Sequence, residues 1–239
     1  MPTPTRPVVV VPTYDERDNL PWLVAGLLQA VPGARVLVVD DASPDGTGAE
    51  ADALARADSR IQVIHRPRKL GLGSAYVAGF SLALRGDADA IVQMDADLSH
   101  DPRDVPRLLA ALASGADLAV GSRNVRGGEV RGWGVGRHLL SRGGSVYAGL
   151  MLGVSVRDLT SGYKAWRRGA LVAIQHQTLR STGYAFQVEA TYRALSAGLR
   201  VVEVPVTFVD RRAGHSKMSL GIVAEAAWKV PLLRVRRGP

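Results

Sequence analysis

Strand-like and helix-like segments alternate through the first 122 residues, and this pattern restricts the possible folds more than any other feature of the sequence. Runs rich in β-branched residues predict five strands, at 7–11, 35–39, 60–64, 90–94 and 118–121. Helical stretches are expected between them, near 19–31, 46–57, 73–85 and 103–114. Strands that read as continuous apolar runs are typical of sheets with helices on both faces. The pattern therefore predicts an α/β fold with a mostly parallel, doubly wound sheet.

Polar residues follow four of the predicted strands, and the most informative are Asp95 and Asp97 after the fourth. Open α/β sheets bind ligands outside the carboxyl ends of their strands. Two carboxylates one residue apart are costly in a core, because unpaired buried charge is disfavoured. They suit Mg²⁺ or Mn²⁺, which commonly link one or two carboxylates to substrate phosphates. For this motif alone, a solvated turn is an equal alternative. The residues after the other strands, namely 12–16, Asp40, Asp41 and Arg123, favour a binding site.

The bulk composition excludes several classes of protein. The chain has 239 residues, enough for one domain with a large core, and it has no cysteine. Disulfides, thiolate metal sites and cysteine nucleophiles are therefore excluded. No apolar run approaches the roughly 18 residues that a membrane span needs, and the N-terminus lacks the apolar stretch of a signal peptide. These features predict a cytoplasmic protein without a transmembrane segment.

The net charge of +8 is unevenly distributed. Residues 1–120 contain 11 basic and 16 acidic side chains, whereas residues 121–239 contain 19 and 6. The split indicates a cation site in the first half and contacts with anions or a membrane in the second. No nucleic-acid partner is expected, because no recognisable nucleic-acid motif is present and the acidic half would repel a polyanion.

Three further motifs leave alternatives open. Residues 71–76 resemble part of a dinucleotide fingerprint, but they do not follow the first strand, so a tight loop before a helix is the better interpretation, with Lys69 near a phosphate. In the helical stretch that begins at 184, Gln187 or Glu189 is a candidate contact for a sugar hydroxyl. The basic loop 211–217 is suited to binding a diphosphate. If this segment were considered without the other motifs, a solvated basic loop would be the favoured interpretation.

The C-terminal segment 220–237 mixes apolar residues with a basic end, which fits a helix on a membrane surface. Packing on the protein's own core is the alternative, and segment 137–152 has the same ambiguity. We therefore predict one catalytic domain over residues 1–218, followed by a basic amphipathic helix over 219–239.

Together these segments resemble the polyprenol-phosphate (dolichol-phosphate) mannosyltransferases, which are family 2 glycosyltransferases of GT-A fold. The matching stretches occur in order over residues 8–220 and are 11–16, 39–47, 94–100, 121–123, 160–163, 183–187 and 211–217. The first two and the Asp95-Ala96-Asp97 motif are shared by many sugar-nucleotide transferases. The motifs at residues 95–100 and in the loop 211–217 occur in a narrower set of transferases, and they point to lipid-phosphate acceptors.

The resemblance implies an inverting transfer of mannose from GDP-mannose to a polyprenyl phosphate, with Mg²⁺ or Mn²⁺ as cofactor. Asp95 and Asp97 would hold the metal, with Asp97 as the principal ligand, and a water could replace the glutamine that some relatives have at Ser99. The catalytic residues would be Asp97, Arg123, Arg211 and Lys217. The donor would contact Pro12, Tyr14, Glu16, Val39, Asp41, Asp95, Ala96, Asp97, Arg211 and Lys217. The acceptor phosphate would contact Arg123, Arg137 and Ser141.

Many relatives carry transmembrane helices after this domain, whereas this sequence contains no apolar run of that length. We therefore expect peripheral attachment at the cytoplasmic face of the membrane, or attachment through a membrane-protein partner. A polyprenyl-phosphate glucosyltransferase that uses UDP-glucose is the nearest alternative. A non-catalytic membrane-binding module and a dehydrogenase are more distant ones.

Overall fold

The five strands predicted from the apolar runs all belong to one sheet in the computed structural model, which describes residues 3–210 and 230–234. The strands are β1 (Pro7–Thr13), β2 (Arg35–Asp40), β3 (Ile61–His65), β4 (Ala90–Gln93), β5 (Leu118–Ser122), β6 (Glu129–Arg131), β7 (Lys164–Arg167), β8 (Val201–Pro205) and β9 (Thr207–Val209). The helices are α1 (Leu20–Ala30), α2 (Thr47–Ala57), α3 (Leu72–Arg85), α4 (Val105–Ala113), α5 (Val135–Leu152), α6 (Arg168–Ala173) and α7 (Gly183–Ser196).

The main sheet has seven strands in the order β3-β2-β1-β4-β7-β5-β8. All neighbouring pairs are parallel except those of β7, which runs antiparallel to both β4 and β5. The prediction of a mostly parallel sheet is confirmed. The inserted strand β7 was not predicted, because Lys164–Arg167 contains two charged residues and no extended apolar run.

The segment from 201 to 209 forms two strands that belong to different sheets. β8 joins the main sheet beside β5, whereas β9 pairs with β6 in a separate two-stranded sheet. The change occurs at Pro205 and Val206, where the Val206 N–H donates to the Ser122 carbonyl at the end of β5. Proline has no N–H for a ladder hydrogen bond, which fits a strand that ends at Pro205.

Helices cover both faces of the main sheet. In β1, Val9 and Val11 pack with side chains of α1 and α4, while Val8 and Val10 pack with side chains of α3 and α7. This burial on both sides explains why the strand reads as an unbroken valine run. The parallel pairing of β1 with β2 and β4 places the carboxyl ends of all three strands at one edge of the sheet.

Helix α5 lies outside these two layers and is buried on one side. Ala148 and Leu152 pack with Tyr192 of α7 and with Val230 in the C-terminal helical segment 230–234. The core-packing alternative therefore holds for 230–234, while 219–229 and 235–239 lie outside the described residues. Among the helices described, none is long and apolar enough to cross a membrane.

Candidate active site

The loops after β1 and β2 are joined by hydrogen bonds between side chains and backbone. The backbone N–H groups of Asp15 and Glu16 donate to the hydroxyls of Ser43 and Thr47, at 3.2 and 3.0 Å. The Thr13 hydroxyl donates to Asp40 Oδ1 at 3.0 Å. The two loops therefore support each other at the sheet edge.

Asp40 and Asp41 have different roles in this edge. Asp40 accepts hydrogen bonds from Thr13 and from the backbone and hydroxyl of Ser43, so it shapes the turn. Asp41 forms a buried ion pair with Arg66 at 2.7 Å, and its Oδ2 accepts the backbone N–H groups of Leu70 and Gly71. Asp41 thus fixes the segment 66–71 against the site.

A cavity of about 170 Å³ opens where these loops meet the end of β4. It is lined by Pro12, Thr13, Tyr14, Glu16, Asp41, Lys69, Gly71, Leu72, Ala75, Asp95, Ala96 and Asp97. We call this space the donor cavity. Of the predicted donor-binding residues in the described chain, only Val39 does not line it, because its side chain is buried in the core.

A second cavity, of about 300 Å³, lies at the opposite ends of the strands, beside Val8, Arg35 and Gly86. Its lining contains no carboxylate. We therefore assign the candidate site to the smaller donor cavity, which contains the predicted residues.

Lys69 and three strained residues also mark the donor-cavity edge. The Lys69 Nζ lies 3.5 Å from the centre of the Tyr14 ring, a cation–π contact at the cavity wall. Asp15, Ala42 and Leu98 have φ of 58°, 57° and 58°. These non-glycine residues follow β1, β2 and β4, and left-handed conformations of this kind concentrate at functional sites.

The two carboxylates of the Asp95-Ala96-Asp97 motif are held by hydrogen bonds from neighbouring groups. Asp95 Oδ1 accepts the Tyr76 hydroxyl at 2.8 Å. Asp97 is buried, and its Oδ1 accepts the Ser99 backbone N–H at 3.1 Å and the Ser99 hydroxyl at 2.5 Å. Ser99 therefore orients Asp97.

This donor set fits a divalent cation that is shared with a phosphate ligand. Asp95 has no ion-pair partner within residues 3–210 and 230–234, although its carboxylate lines the cavity. Over the same residues there is no group of three or more His, Cys, Asp or Glu side chains that could hold a metal. Mg²⁺ is commonly bound by one or two protein carboxylates, with substrate phosphates completing its coordination.

Arg123 is built into the fold by an ion pair with Asp158. Its guanidinium contacts both Asp158 oxygens at 2.7 and 2.8 Å and also donates to the Thr160 hydroxyl. Burial alone would raise the pKa of Asp158, but the charge and hydrogen bonds of Arg123 lower it overall. No local motif indicates this pairing, because the two residues are 35 positions apart in the chain.

Arg123 and Arg137 meet around the Trp133 ring, with guanidinium carbons 5.6 and 4.3 Å from its centre. The Phe208 ring lies against the same indole. We call Arg123, Trp133, Arg137 and Phe208 the acceptor cluster. The structure thus brings together two of the three predicted acceptor residues, and the third, Ser141, is half-buried on the next turn of α5 after Arg137.

Two N–H groups of the acceptor cluster, Trp133 Nε1 and Arg137 Nε, are buried and have no hydrogen-bond partner among residues 3–210 and 230–234. The other end of the Arg137 guanidinium donates to Asp210 at 2.7 Å. Buried donors are nearly always hydrogen-bonded, so unsatisfied ones call for an explanation such as a bound ligand. Trp133 was not predicted as a site residue, because it lies in none of the motifs that carry the resemblance.

His100 lies between the donor cavity and the acceptor cluster. It stacks on Tyr163 and meets the edge of Phe208. Burial lowers the pKa of His100, against the opposing attraction of Asp95 and Asp97. The ring is therefore neutral at physiological pH.

The predicted sugar contacts at Gln187 and Glu189 are wrong. Gln187 is buried, and its Oε1 accepts hydrogen bonds from Gln93 and Lys164. Glu189 pairs with Arg193 and accepts the backbone N–H groups of Arg180 and Ser181. Both side chains are buried and make hydrogen bonds within the fold. The predicted residues Arg211 and Lys217 lie outside the described residues.

These features define a sugar-nucleotide transferase fold, and the chain belongs to glycosyl transferase family 2, whose family model matches residues 8–174. It is 50% identical over 226 residues to a polyprenol monophosphomannose synthase of Mycolicibacterium smegmatis, covering 94% of this chain and 85% of that protein. It is 49% identical over 225 residues to an undecaprenyl-phosphate mannosyltransferase of Micrococcus luteus, covering 94% and 92%.

A solved structure of glucosyl-3-phosphoglycerate synthase from Mycobacterium tuberculosis, in complex with Mn²⁺, UDP-glucose and glycerol 3-phosphate, has a similar fold. The TM-score is 0.66 at 21% identity, over 98% of this chain and 80% of that chain. This similarity supports the GT-A-like fold predicted from the sequence.

Proposed function

We propose that this protein transfers mannose from GDP-mannose to a polyprenyl phosphate with inversion, giving a polyprenyl β-mannosyl phosphate. The observation that carries the proposal is the pair Asp95 and Asp97, which lines a cavity at the end of β4 beside the arginine-rich acceptor cluster. The names of the two mannosyl-transferring relatives support mannose as the sugar and a polyprenyl phosphate as the acceptor.

The donor nucleotide would bind in the donor cavity. Pro12 at the end of β1 would contact it together with Tyr14 and Glu16 in the loop that follows. Asp41 would hold the segment 66–71 that forms the opposite wall. We propose that Arg211 and Lys217 complete the site over the diphosphate, as the sequence motif suggests.

Asp95 and Asp97 would hold Mg²⁺ or Mn²⁺ together with the donor diphosphate. When bound, such a cation supplies electrostatic stabilisation for the charge that develops on the departing GDP. Ser99 would keep Asp97 in one orientation through the two hydrogen bonds that it donates.

The acceptor phosphate would bind at the acceptor cluster, with Ser141 beside it. A phosphate monoester carries about −1.5 to −2 charges at neutral pH, so its oxygen is a nucleophile without a general base. Trp133 Nε1 and Arg137 Nε are buried and have no partner in the described part of the chain, so they are suitable donors for its oxygens.

The reaction would be one in-line displacement. A phosphate oxygen of the acceptor forms a bond to the anomeric carbon of mannose, while the bond from that carbon to the GDP oxygen breaks. The α-linked donor then gives a β-linked product, and positioning of the two phosphates supplies much of the rate. An α-linked product would contradict this mechanism.

Helix α5 would bring the protein to its lipid substrate at the cytoplasmic face of the membrane. Val135, Leu139, Val146 and Leu150 recur at helical spacing and are exposed. The helix contains Arg137 and Arg142 but no acidic residue. An apolar stripe with basic neighbours is typical of helices that lie in the membrane interface. A membrane-protein partner could add to this attachment.

Transfer of radiolabelled mannose from GDP-mannose to an organic-extractable product, with and without EDTA, tests the proposal. We expect transfer that EDTA abolishes and excess Mg²⁺ or Mn²⁺ restores. Full activity in EDTA would contradict the cation site. If, in a panel of donors, only UDP-glucose were turned over, the protein would be a glucosyltransferase instead of a mannosyltransferase. Vesicle binding without transfer from any donor would indicate a binding module.

A further inference from the structure

The glycine-rich motif at residues 71–76 packs helix α3 closely against the sheet. Gly71 has φ of 95°, and α3 begins at the next residue, so the predicted tight loop before a helix is confirmed. A Cβ at Gly73 would lie 2.7 Å from the Ser181 carbonyl oxygen, and one at Gly79 would lie 2.3 Å from Val10 Cγ1. These contacts are too short for any side chain. The glycines therefore let α3 approach β1 and the loop before α7.

This close packing fixes the position of Tyr76 on α3. The Tyr76 ring is fully buried and stacks between Phe80 and Phe186, with ring centres 5.7 and 5.9 Å away. Its hydroxyl donates to Asp95 Oδ1 at 2.8 Å.

The other oxygen of Asp95 is confined by a second close approach. A Cβ at Gly162 would lie 3.1 Å from Asp95 Oδ2. The carboxylate is thus held between the Tyr76 hydroxyl and the backbone before β7, while it also lines the donor cavity.

We propose that Tyr76 is a positioning residue that presets the Asp95 carboxylate for the cation of the donor complex. The inference rests on the proposed function, because it takes the cation from there. Outer hydrogen bonds of this kind orient metal-binding carboxylates, and their loss typically lowers metal affinity 10- to 100-fold. The glycine motif would then contribute to metal binding through the packing of helix α3.

Tyr76→Phe tests this role, because it removes one oxygen and leaves the stacked ring in place. The probe is Mn²⁺ binding in the presence of GDP, measured by electron paramagnetic resonance on the full chain. We expect an affinity about tenfold or more below that of the wild type. GDP binding in EDTA should be unchanged, since the effect passes through the metal.

Tyr163→Phe is the matched control. Tyr163 is also fully buried, and its hydroxyl donates at 2.8 Å to a neutral group, the backbone carbonyl of Asp101. This variant loses a similar buried hydrogen bond, so both proteins should lose similar thermal stability. Only Tyr76→Phe should lose Mn²⁺ affinity.

Two results would overturn the inference while the proposed function stands: wild-type Mn²⁺ affinity in Tyr76→Phe, or equal losses of affinity in both tyrosine variants. The second result would mean that any buried hydroxyl stabilises the site only by general packing. A wild-type protein that binds GDP but no Mn²⁺ would instead contradict the proposed cation site, and the inference with it.

Discussion

The donor cavity and the acceptor cluster differ in how the fold balances their charges. Asp95 receives a hydrogen bond from the neutral Tyr76 and has no ion-pair partner in the described part of the chain. Arg123 and Arg137 are each paired with a carboxylate, Asp158 and Asp210, at 2.7 Å.

This difference indicates when each charge becomes available. The donor cavity keeps negative charge ready for a cation, which favours metal binding as soon as the nucleotide arrives. The acceptor cluster holds its positive charge in neutralised pairs, so a phosphate must share the arginines with Asp158 and Asp210. Asp95 and Asp97 should therefore affect activity far more than stability, whereas acceptor-cluster residues should affect activity and stability together.

Asp97→Asn should give the largest loss of activity. We expect kcat/KM to fall by about 10³-fold, because the amide cannot neutralise a cation at the diphosphate. Stability should change by less than about 1 kcal/mol, since the amide oxygen can still accept from Ser99. Steady-state transfer assays and thermal unfolding measure the two quantities.

Asp101→Asn is the control for that variant. Asp101 Oδ1 accepts the backbone N–H two residues ahead, that of Arg103, as Asp97 accepts that of Ser99. It does not line the donor cavity, so its activity should stay near that of the wild type. Substantial activity in Asp97→Asn, or an equal loss in Asp101→Asn, would remove the distinction between the two regions.

Arg123→Met should lower both activity and stability. It leaves the fully buried Asp158 without its partner, which typically costs about 3–5 kcal/mol. The double variant Arg123→Met/Asp158→Leu should regain much of the stability but none of the activity. Chemical denaturation with parallel transfer assays separates the effects.

Arg103→Met supplies the exposed counterpart, because Arg103 pairs with Asp101 at the surface and should contribute less than about 1 kcal/mol. If Arg123→Met were as stable as Arg103→Met, the ion pair with Asp158 would not be part of the scaffold.

The exposed stripe of α5 extends the comparison to the membrane. Leu139→Glu combined with Leu150→Glu should reduce binding to anionic phospholipid vesicles by at least about tenfold, because each change replaces apolar surface by charge. Both leucines are more than half exposed, so unfolding should change by only about 0.5 kcal/mol. Vesicle sedimentation measures the binding.

Trp22→Glu on α1 is the matched control, since Trp22 is 75% exposed and lies on a helix that packs against the main sheet. Equal losses of vesicle binding in Trp22→Glu and in the α5 variant would show that binding depends on general surface hydrophobicity rather than on this helix.

The donor cavity could be predicted from the sequence more fully than the acceptor cluster, and the reason is sequence distance. Its carboxylates follow apolar runs, so the position of Asp95 and Asp97 at the sheet edge follows from the strand pattern. The partner of Arg123 is Asp158, which lies in a distant segment of the chain, and Trp133 belongs to no recognised motif. Pairings between distant segments depend on packing, which no local pattern encodes.

The antiparallel strand β7 shows the same limit within the fold. Lys164 is buried at its start, where a charged residue argues against a central strand. The structure accommodates it because its Nζ donates to the backbone carbonyl and the Oε1 of Gln187, both at 2.9 Å. The buried amides of Gln93 and Gln187 thus explain a strand that composition could not predict.

The smallest predicted effect is a pH dependence of stability that arises from Lys164, which is in neither the donor cavity nor the acceptor cluster. Burial lowers its pKa from 10.5 to about 7. Between these values the unfolded chain binds more protons at this site than the folded protein, so the free energy of unfolding should increase with pH from about 7 towards 10. Below pH 7 both states are protonated, and the residue contributes no slope.

Lys164→Met should remove this rise. We expect the wild type to gain on the order of 1 kcal/mol relative to the variant between pH 7 and pH 9, measured by urea denaturation at several pH values. The slope is the informative quantity, because the variant also loses two hydrogen bonds to Gln187 at every pH. Parallel curves for the two proteins would mean that Lys164 stays protonated in the fold up to pH 9, and that the nearby charges of Asp158 and Asp95 outweigh its burial.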